Sequence, residues 1–87
     1  MGHGQWAHLG MFMQSVALAA VERGLGTCMQ EAWSAVRESL RRHFELPETD
    51  LVYCGMALGL PDPTAPVNAL RSARAEVDEF ARFRGFD

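Results

Sequence analysis

The chain of 87 residues is long enough for one small domain and no more, and a domain of this size hides only roughly 60–65% of its unfolded surface. Its apolar content of 48% and charged content of 22% are typical of folded proteins and exclude intrinsic disorder. The net charge of −3 at pH 7 argues against a protein that binds nucleic acid or anionic membranes.

The first strong pattern is an apolar run from Leu9 to Val21, LGMFMQSVALAAV, which follows an irregular start rich in Gly and His. A helix that is apolar on nearly every side has to be buried on nearly every side. The run is too short for a membrane span, which needs about 20 apolar residues, and Gly24 is expected to cap its C-terminus. Because the rest of the chain is too short to surround this helix, we expect another chain or a further segment to pack against it.

Residues 24–30 predict a tight turn and a short strand, and Glu31 to Glu45 predicts an amphipathic helix. The apolar face of that helix is formed by Trp33, Val36, Leu40 and Phe44. The continuous apolar run from Leu51 to Leu58 predicts a strand covered on both faces, with a buried helix as the alternative. Two strands do not make an independently stable sheet, so this region also indicates that part of the fold lies elsewhere.

The composition changes after Gly59, where three prolines predict an extended arm over Leu60 to Asn68. A short helix is predicted over Ala75 to Phe83, since acidic residues occupy its first turn. We therefore predict an α+β fold in a single partial domain. Residues 1–60 would form the core helices and strands, and residues 61–87 the extended arm with its short C-terminal helix.

The sequence contains no self-sufficient catalytic motif. The phosphate-binding pattern GxxxxGK[ST], the zinc pattern HExxH and the hydrolase pattern GxSxG are all absent from it. The three histidines do not have metal-ligand spacing. Cys28 and Cys54 are far apart and lie in apolar surroundings, so we expect reduced, buried thiols and, from them, a cytoplasmic location.

Two arginines near the C-terminus indicate a candidate anion-binding site. Arg71 and Arg74 precede the last predicted helix, and a helix N-terminus attracts anions through its free N–H groups and its dipole. On the residues alone this is a phosphate-site signal of low specificity.

Taken in order, three segments resemble the nitroreductase family. WxxLGMFMQSVALAAVERGLGTCMQEAW resembles the long central helix of that family, its Gly-rich turn and the segment that lies along the flavin. LVYCGMALGLPDPTAPVN is similar to the strand and the Pro-rich arm that follow, and LRSARAEVDEFARFRGF to the closing segment with its short helix. The resemblance covers the chain from about Trp6 to Phe86 and identifies it as the C-terminal part of such a protein.

The resemblance implies an FMN-dependent NAD(P)H oxidoreductase. In this family an α+β fold forms an intertwined homodimer with FMN at the subunit interface, and the flavin passes a hydride from NAD(P)H to a nitroaromatic, quinone or similar acceptor. For this chain it implies a homodimer through the Leu9–Val21 helix, an arm that embraces the partner subunit, and neither a nucleic-acid nor a membrane partner.

The same resemblance assigns cofactor-binding residues but no catalytic side chain. Thr27, Cys28, Met29 and Gln30 match the segment that contacts the isoalloxazine ring. Arg74 matches the arginine that meets the FMN phosphate, with Arg71 as a helper, and a guanidinium suits phosphate because it binds bidentately. Many family members have Pro where this chain has Met29.

An N-terminal Arg-Arg-Ser type motif, which holds the flavin in the family, is absent from this sequence, and His8 stands where an acidic residue is expected. Two hypotheses follow. The chain is either part of a nitroreductase, incomplete as an isolated enzyme, or a truncated, non-catalytic remnant that acts only as a dimerisation or interaction module.

Overall fold

The computed structural model describes residues 2–86, so Met1 and Asp87 lie outside the part of the chain described below. Helices and a two-stranded antiparallel sheet occupy this part of the chain, which confirms the predicted α+β class. The α-helices are α1 (His3–Glu22), α2 (Arg37–His43) and α3 (Val77–Phe80), and the strands are β1 (Gly26–Gln30) and β2 (Gly55–Gly59). Two 3-10 segments cover Glu31–Val36 and Pro66–Ala69.

Helix α1 begins six residues earlier than the apolar run. Gly2 has the extended backbone of an N-cap, and its N–H donates to Oε1 of Gln5 at 2.9 Å, so one free backbone donor at the helix start is satisfied. The prediction of an irregular start before Leu9 was therefore wrong for residues 3–8. Gly4, the one glycine in that stretch, weakens the helix by about 0.5–1 kcal/mol but does not end it.

The end of α1 confirms the predicted glycine cap. Gly24 has φ +74°, its N–H donates to the carbonyl of Val21 at 3.0 Å, and the N–H of Leu25 donates to the carbonyl of Ala20 at 2.9 Å. These two bonds form a Schellman motif, in which a left-handed residue turns the chain and satisfies the last carbonyls of the helix. The motif directs the chain into β1, which starts two residues later.

Helix α2 ends in the same motif with a less suitable residue. Glu45 has φ 52°, its N–H donates to the carbonyl of Arg42 at 3.3 Å, and the N–H of Leu46 donates to the carbonyl of Arg41 at 2.9 Å. A side chain in the left-handed region costs roughly 1–2 kcal/mol. This end of α2 is therefore strained where the end of α1 is not.

The predicted helix from Glu31 to Glu45 is divided, and the prediction of one continuous α-helix was wrong. Residues Glu31–Val36 form a 3-10 segment, and only Arg37–His43 are α-helical. The tighter 3-10 turn allows the indole of Trp33 to reach back to Gln30, at the end of β1. The same indole lies against Gly55 of β2, so a contact with the sheet accompanies this departure from the α-helical period.

The two strands pair along their whole length, from Gly26 opposite Gly59 to Gln30 opposite Gly55. The strand predicted over Leu51 to Leu58 starts four residues later than expected. Residues before Gly55 are held by arginines instead of by a neighbouring strand. Nε of Arg37 donates to the carbonyl of Val52 at 2.5 Å, and Nη2 of Arg41 donates to the carbonyl of Asp50 at 3.2 Å.

The chain after β2 is mainly extended, as the prolines predict, and it contains one 3-10 turn at Pro66–Ala69. Helix α3 is shorter than the predicted Ala75–Phe83 helix. It starts where the N–H of Glu76 donates to Oε2 of Glu79 at 2.8 Å, and it ends because Ala81 has an extended backbone.

The described chain buries little of its apolar surface on itself. Ala20 is the one buried apolar residue among residues 2–86, and the radius of gyration is 17.5 Å, against about 12 Å for a compact chain of this length. Helix α1 exposes Met11, Phe12, Leu18 and Val21. Met11 and Leu18, seven residues apart, share the outer face of the helix, whereas Phe12 lines a cavity with Gly55 and Met56 of β2. No helix of residues 2–86 is long and apolar enough to cross a membrane.

The cysteines differ from the prediction of buried thiols. Cys28 is exposed and Cys54 is half-buried, and neither forms a disulfide in the described chain. The prediction was wrong because the apolar neighbours in the sequence do not close over either thiol within this chain.

Candidate functional site

Strand β1 is an accessible platform at the surface of the described chain. The cap at Gly24 turns the chain into it, and β2 pairs with one of its edges. In residues 2–86 the other edge has no strand partner, so backbone N–H and C=O groups along it are open to a ligand or to another chain. Thr27 and Gln30 are half-buried there, and Cys28 and Met29 are exposed.

Gln30 is the predicted ring-contact residue with a fixed side chain. Nε1 of Trp33 donates to Oε1 of Gln30 at 2.9 Å, across the start of the 3-10 segment. The residues predicted from the resemblance included Gln30 but missed Trp33, which was placed only on the apolar face of a helix. The three-residue spacing of Gln30 and Trp33 predicts their hydrogen bond only if the turn between them is known to be 3-10.

The arm folds back against β1 and β2 at its start. A Cβ atom added to Gly26 would lie 3.5 Å from Cβ of Pro61, and a cavity of about 280 Å³ lies between the strands and the arm. It is lined by Gly26, Thr27, Cys28, Ala57, Leu58, Gly59, Leu60, Pro61 and Asn68. The predicted ring-contact segment therefore borders the arm as well as β2.

Asp62 orders the turn that follows. Its Oδ1 accepts the hydroxyl of Thr64 at 2.7 Å and the N–H of Thr64 at 2.9 Å, and these bonds hold the pKa of the Asp62 carboxyl below its ordinary value of 3.8. Nδ2 of Asn68 also donates to the carbonyl of Asp62, at 2.6 Å. The carboxylate thus serves the conformation of the arm.

Arg71 and Arg74 are exposed, and both lie in the extended segment before α3. Nη1 of Arg71 donates to the carbonyls of Asn68 and Leu70, at 3.2 and 3.0 Å. Nη1 of Arg74 donates to Oγ of Ser72 at 2.5 Å and to the carbonyl of Ala73 at 3.1 Å. Among residues 2–86 the remaining guanidinium nitrogens of both side chains make no hydrogen bond, so each can still meet a phosphate.

The structure does not join the two predicted halves of the site. Over the described range, no hydrogen bond connects Arg71 or Arg74 with residues 27–30. No group of three or more His, Cys, Asp or Glu side chains within it is placed to hold a metal ion. An open strand edge can pair with a planar organic ring, and two guanidinium groups that each keep nitrogens without a partner among residues 2–86 can bind a phosphate.

Comparisons with known proteins agree with this reading of the fold. The model of the Nitroreductase family matches residues 1–60. The chain belongs to the nitroreductase family. It is 37% identical over 82 residues to the 4-nitrobenzoate reductase of Pseudomonas putida, and 40% identical over 82 residues to the chloronitrobenzene nitroreductase of Comamonas testosteroni. These matches cover 94% and 91% of this chain.

Solved nitroreductase structures match as well. The FMN- and NADPH-dependent nitroreductase NfnB from Sphigopyxis sp. strain HMH superposes on 99% of this chain with a TM-score of 0.93 and 40% sequence identity. The chain spans 36% of the length of both curated relatives and 39% of the NfnB chain. The structure described here is therefore that of part of the nitroreductase fold, as the sequence predicted.

Proposed function

We propose that this nitroreductase chain contributes to an FMN-dependent oxidoreductase that uses NAD(P)H to reduce a nitroaromatic, quinone or similar acceptor. The observation that carries the proposal is the 40% identity and TM-score of 0.93 to an FMN- and NADPH-dependent nitroreductase over 99% of the chain. Identity of that size over a superposable backbone supports a shared cofactor. Bound FMN supplies the hydride chemistry, while the protein supplies position and electrostatics.

Strand β1 is proposed to lie along the isoalloxazine ring through Thr27, Cys28, Met29 and Gln30. Its open edge supports this role, since backbone N–H and C=O groups can pair with the polar edge of a planar ring. Cys28 and Met29 are exposed, so a ring can reach this part of the strand.

Arg74, with Arg71 beside it in the sequence, is proposed to hold the FMN phosphate. Each guanidinium is tethered through Nη1 to nearby oxygens, which limits its movement and leaves its other nitrogens available. A preorganised fork loses less entropy when it binds a phosphate than a freely rotating one.

The proposal includes a homodimer through α1 and a core-and-arm division at residue 60. Helix α1 exposes four large apolar side chains, which is the composition of an obligate interface. Strand β2 ends at Gly59, and the chain that follows is mostly extended. The unpaired cysteines support a reducing, cytoplasmic location.

The second candidate is a non-catalytic interaction module, and the exposed face of α1 also supports it. The two candidates differ in one measurable property. Purified chain is mixed with FMN, separated from free flavin, and assayed for oxidation of NADH and NADPH with and without a nitroaromatic acceptor. Acceptor-dependent oxidation above the rate with the same amount of free FMN supports the oxidoreductase. Self-association of a chain that neither retains FMN nor supports flavin-dependent oxidation contradicts it and favours the interaction module.

A further inference from the structure

Trp33 lies where β1, β2 and the 3-10 segment meet. Its indole N–H donates to Oε1 of Gln30, and Gln30 is the register partner of Gly55, the first residue of β2. A Cβ atom added to Gly55 would overlap Cδ1 of Trp33 and would lie 2.9 Å from Nε1. The indole therefore lies directly against the Gly55 backbone, over the last pair of the two-stranded ladder, and only glycine at residue 55 leaves room for it.

This contact determines which way the Gln30 amide is turned. An indole N–H is a donor and never an acceptor, so the oxygen of the amide has to face Trp33 and the NH₂ group has to point away from it. Across residues 2–86 the Gln30 side chain makes no other hydrogen bond. Without the indole, the amide could rotate and offer either its oxygen or its NH₂ group to a neighbour.

We propose that Trp33 is a positioning residue that presents Gln30 to bound FMN as a hydrogen-bond donor, with Gly55 providing the space for the indole. This inference rests on the proposed function, in which β1 lies along the isoalloxazine ring. The polar edge of an oxidised isoalloxazine carries carbonyl oxygens and an imine nitrogen that accept hydrogen bonds. Reduction adds negative charge there, so a fixed donor favours the reduced ring over the oxidised one.

The test compares Trp33→Phe with wild type in the purified 87-residue chain. Phe keeps an aromatic ring against Gly55 and removes the donor. Trp6→Phe is the matched control, because Trp6 is the other tryptophan and packs on Tyr53 at a ring-centroid distance of 5.3 Å. The measurements are the FMN dissociation constant by flavin fluorescence and the midpoint potential of the bound flavin.

Trp33→Phe is expected to weaken FMN binding by roughly five- to tenfold, the effect of one hydrogen bond. The midpoint potential should fall by about 30 mV for each tenfold loss of preference for the reduced form. Trp6→Phe should change neither. In a Gln30→Leu background, Trp33→Phe should leave the potential unchanged, because the group that it positions is gone.

A direct readout of the hydrogen bond does not depend on flavin. The chain has two tryptophans, so the indole N–H resonance that remains in Trp6→Phe belongs to Trp33, and it should shift in Gln30→Leu and in Gly55→Ala. An unmoved resonance in Gln30→Leu overturns the inference even if Trp33→Phe does not fold.

The flavin measurements separate the two proposals. If wild type binds FMN and Trp33→Phe binds it with the same affinity and potential, the role of Trp33 is wrong and the proposed function stands. If wild type binds no FMN, the proposed function and the role of Trp33 fail together.

Discussion

Truncating Leu18 on the outer face of α1 should weaken self-association without unfolding the chain. Leu18 is 62% exposed, so Leu18→Ala removes few contacts within one copy, and Ala is an even better helix former. Burying a leucine fully is worth about 1.5–3 kcal/mol, of which nearly two thirds, about 1–2 kcal/mol, is still to be gained here. In a two-fold dimer both copies contribute, which gives about 2–4 kcal/mol, or roughly 30- to 700-fold in the dissociation constant.

Sedimentation over a concentration series measures this effect, with Leu60→Ala as the control. Leu60 is 84% exposed but lies after β2, outside α1, and the substitution is the same. Leu18→Ala should move the monomer–dimer transition to higher concentration, and Leu60→Ala should leave it in place. Equal effects of the two substitutions would show that association is non-specific and hydrophobic. A compact monomer at all concentrations would refute the α1 interface.

Three further results are expected. Gly24 and Glu45 both occupy left-handed positions at helix ends, where glycine is the preferred residue. In urea unfolding followed by circular dichroism, Gly24→Ala should therefore destabilise the chain by about 1–2 kcal/mol, and Glu45→Gly should stabilise it by about 0.5–1 kcal/mol. Changes of the same sign in the two variants would contradict this explanation of the helix ends. Arg74→Ala should weaken FMN binding by about 1.5–3 kcal/mol while Arg84→Ala leaves it unchanged, and equal affinities for both variants would remove Arg74 from the phosphate site. The Asp62 carboxyl should titrate by NMR below 3.8, so its stabilising effect is fully present above that pH and is lost as the pH falls through its lowered pKa; titration at or above 3.8 would contradict the turn geometry.

Much of the fold could be predicted from local sequence. The apolar run and Gly24 identified α1 and its end, because helix period and a left-handed cap are local properties. The boundaries were less predictable where a distant group intervenes. Arg37 binds the carbonyl of Val52, a residue that the apolar pattern had placed in a strand, and Arg41 binds the carbonyl of Asp50 just before it. No local pattern reveals such bonds.

The candidate site was predictable to a smaller extent. Residues 27–30 and the two arginines came from the resemblance, since no spacing rule in this chain points to a flavin. The contacts of Trp33 were missed because Gly55 is far from it in sequence, and because its bond to Gln30 needs a 3-10 turn that the amphipathic pattern does not predict. The sequence showed that α1 is apolar, but it did not show which of its side chains remain exposed.

Flavin retention by the purified chain tests whether these residues form an FMN site. The chain is incubated with excess FMN, passed through gel filtration, and the visible absorbance of flavin is measured in the protein peak. We expect flavin in the protein peak, less of it in Arg74→Ala and an unchanged amount in Arg84→Ala. A protein peak without flavin, from a chain that is folded by circular dichroism, would contradict the claim that these residues form an FMN site.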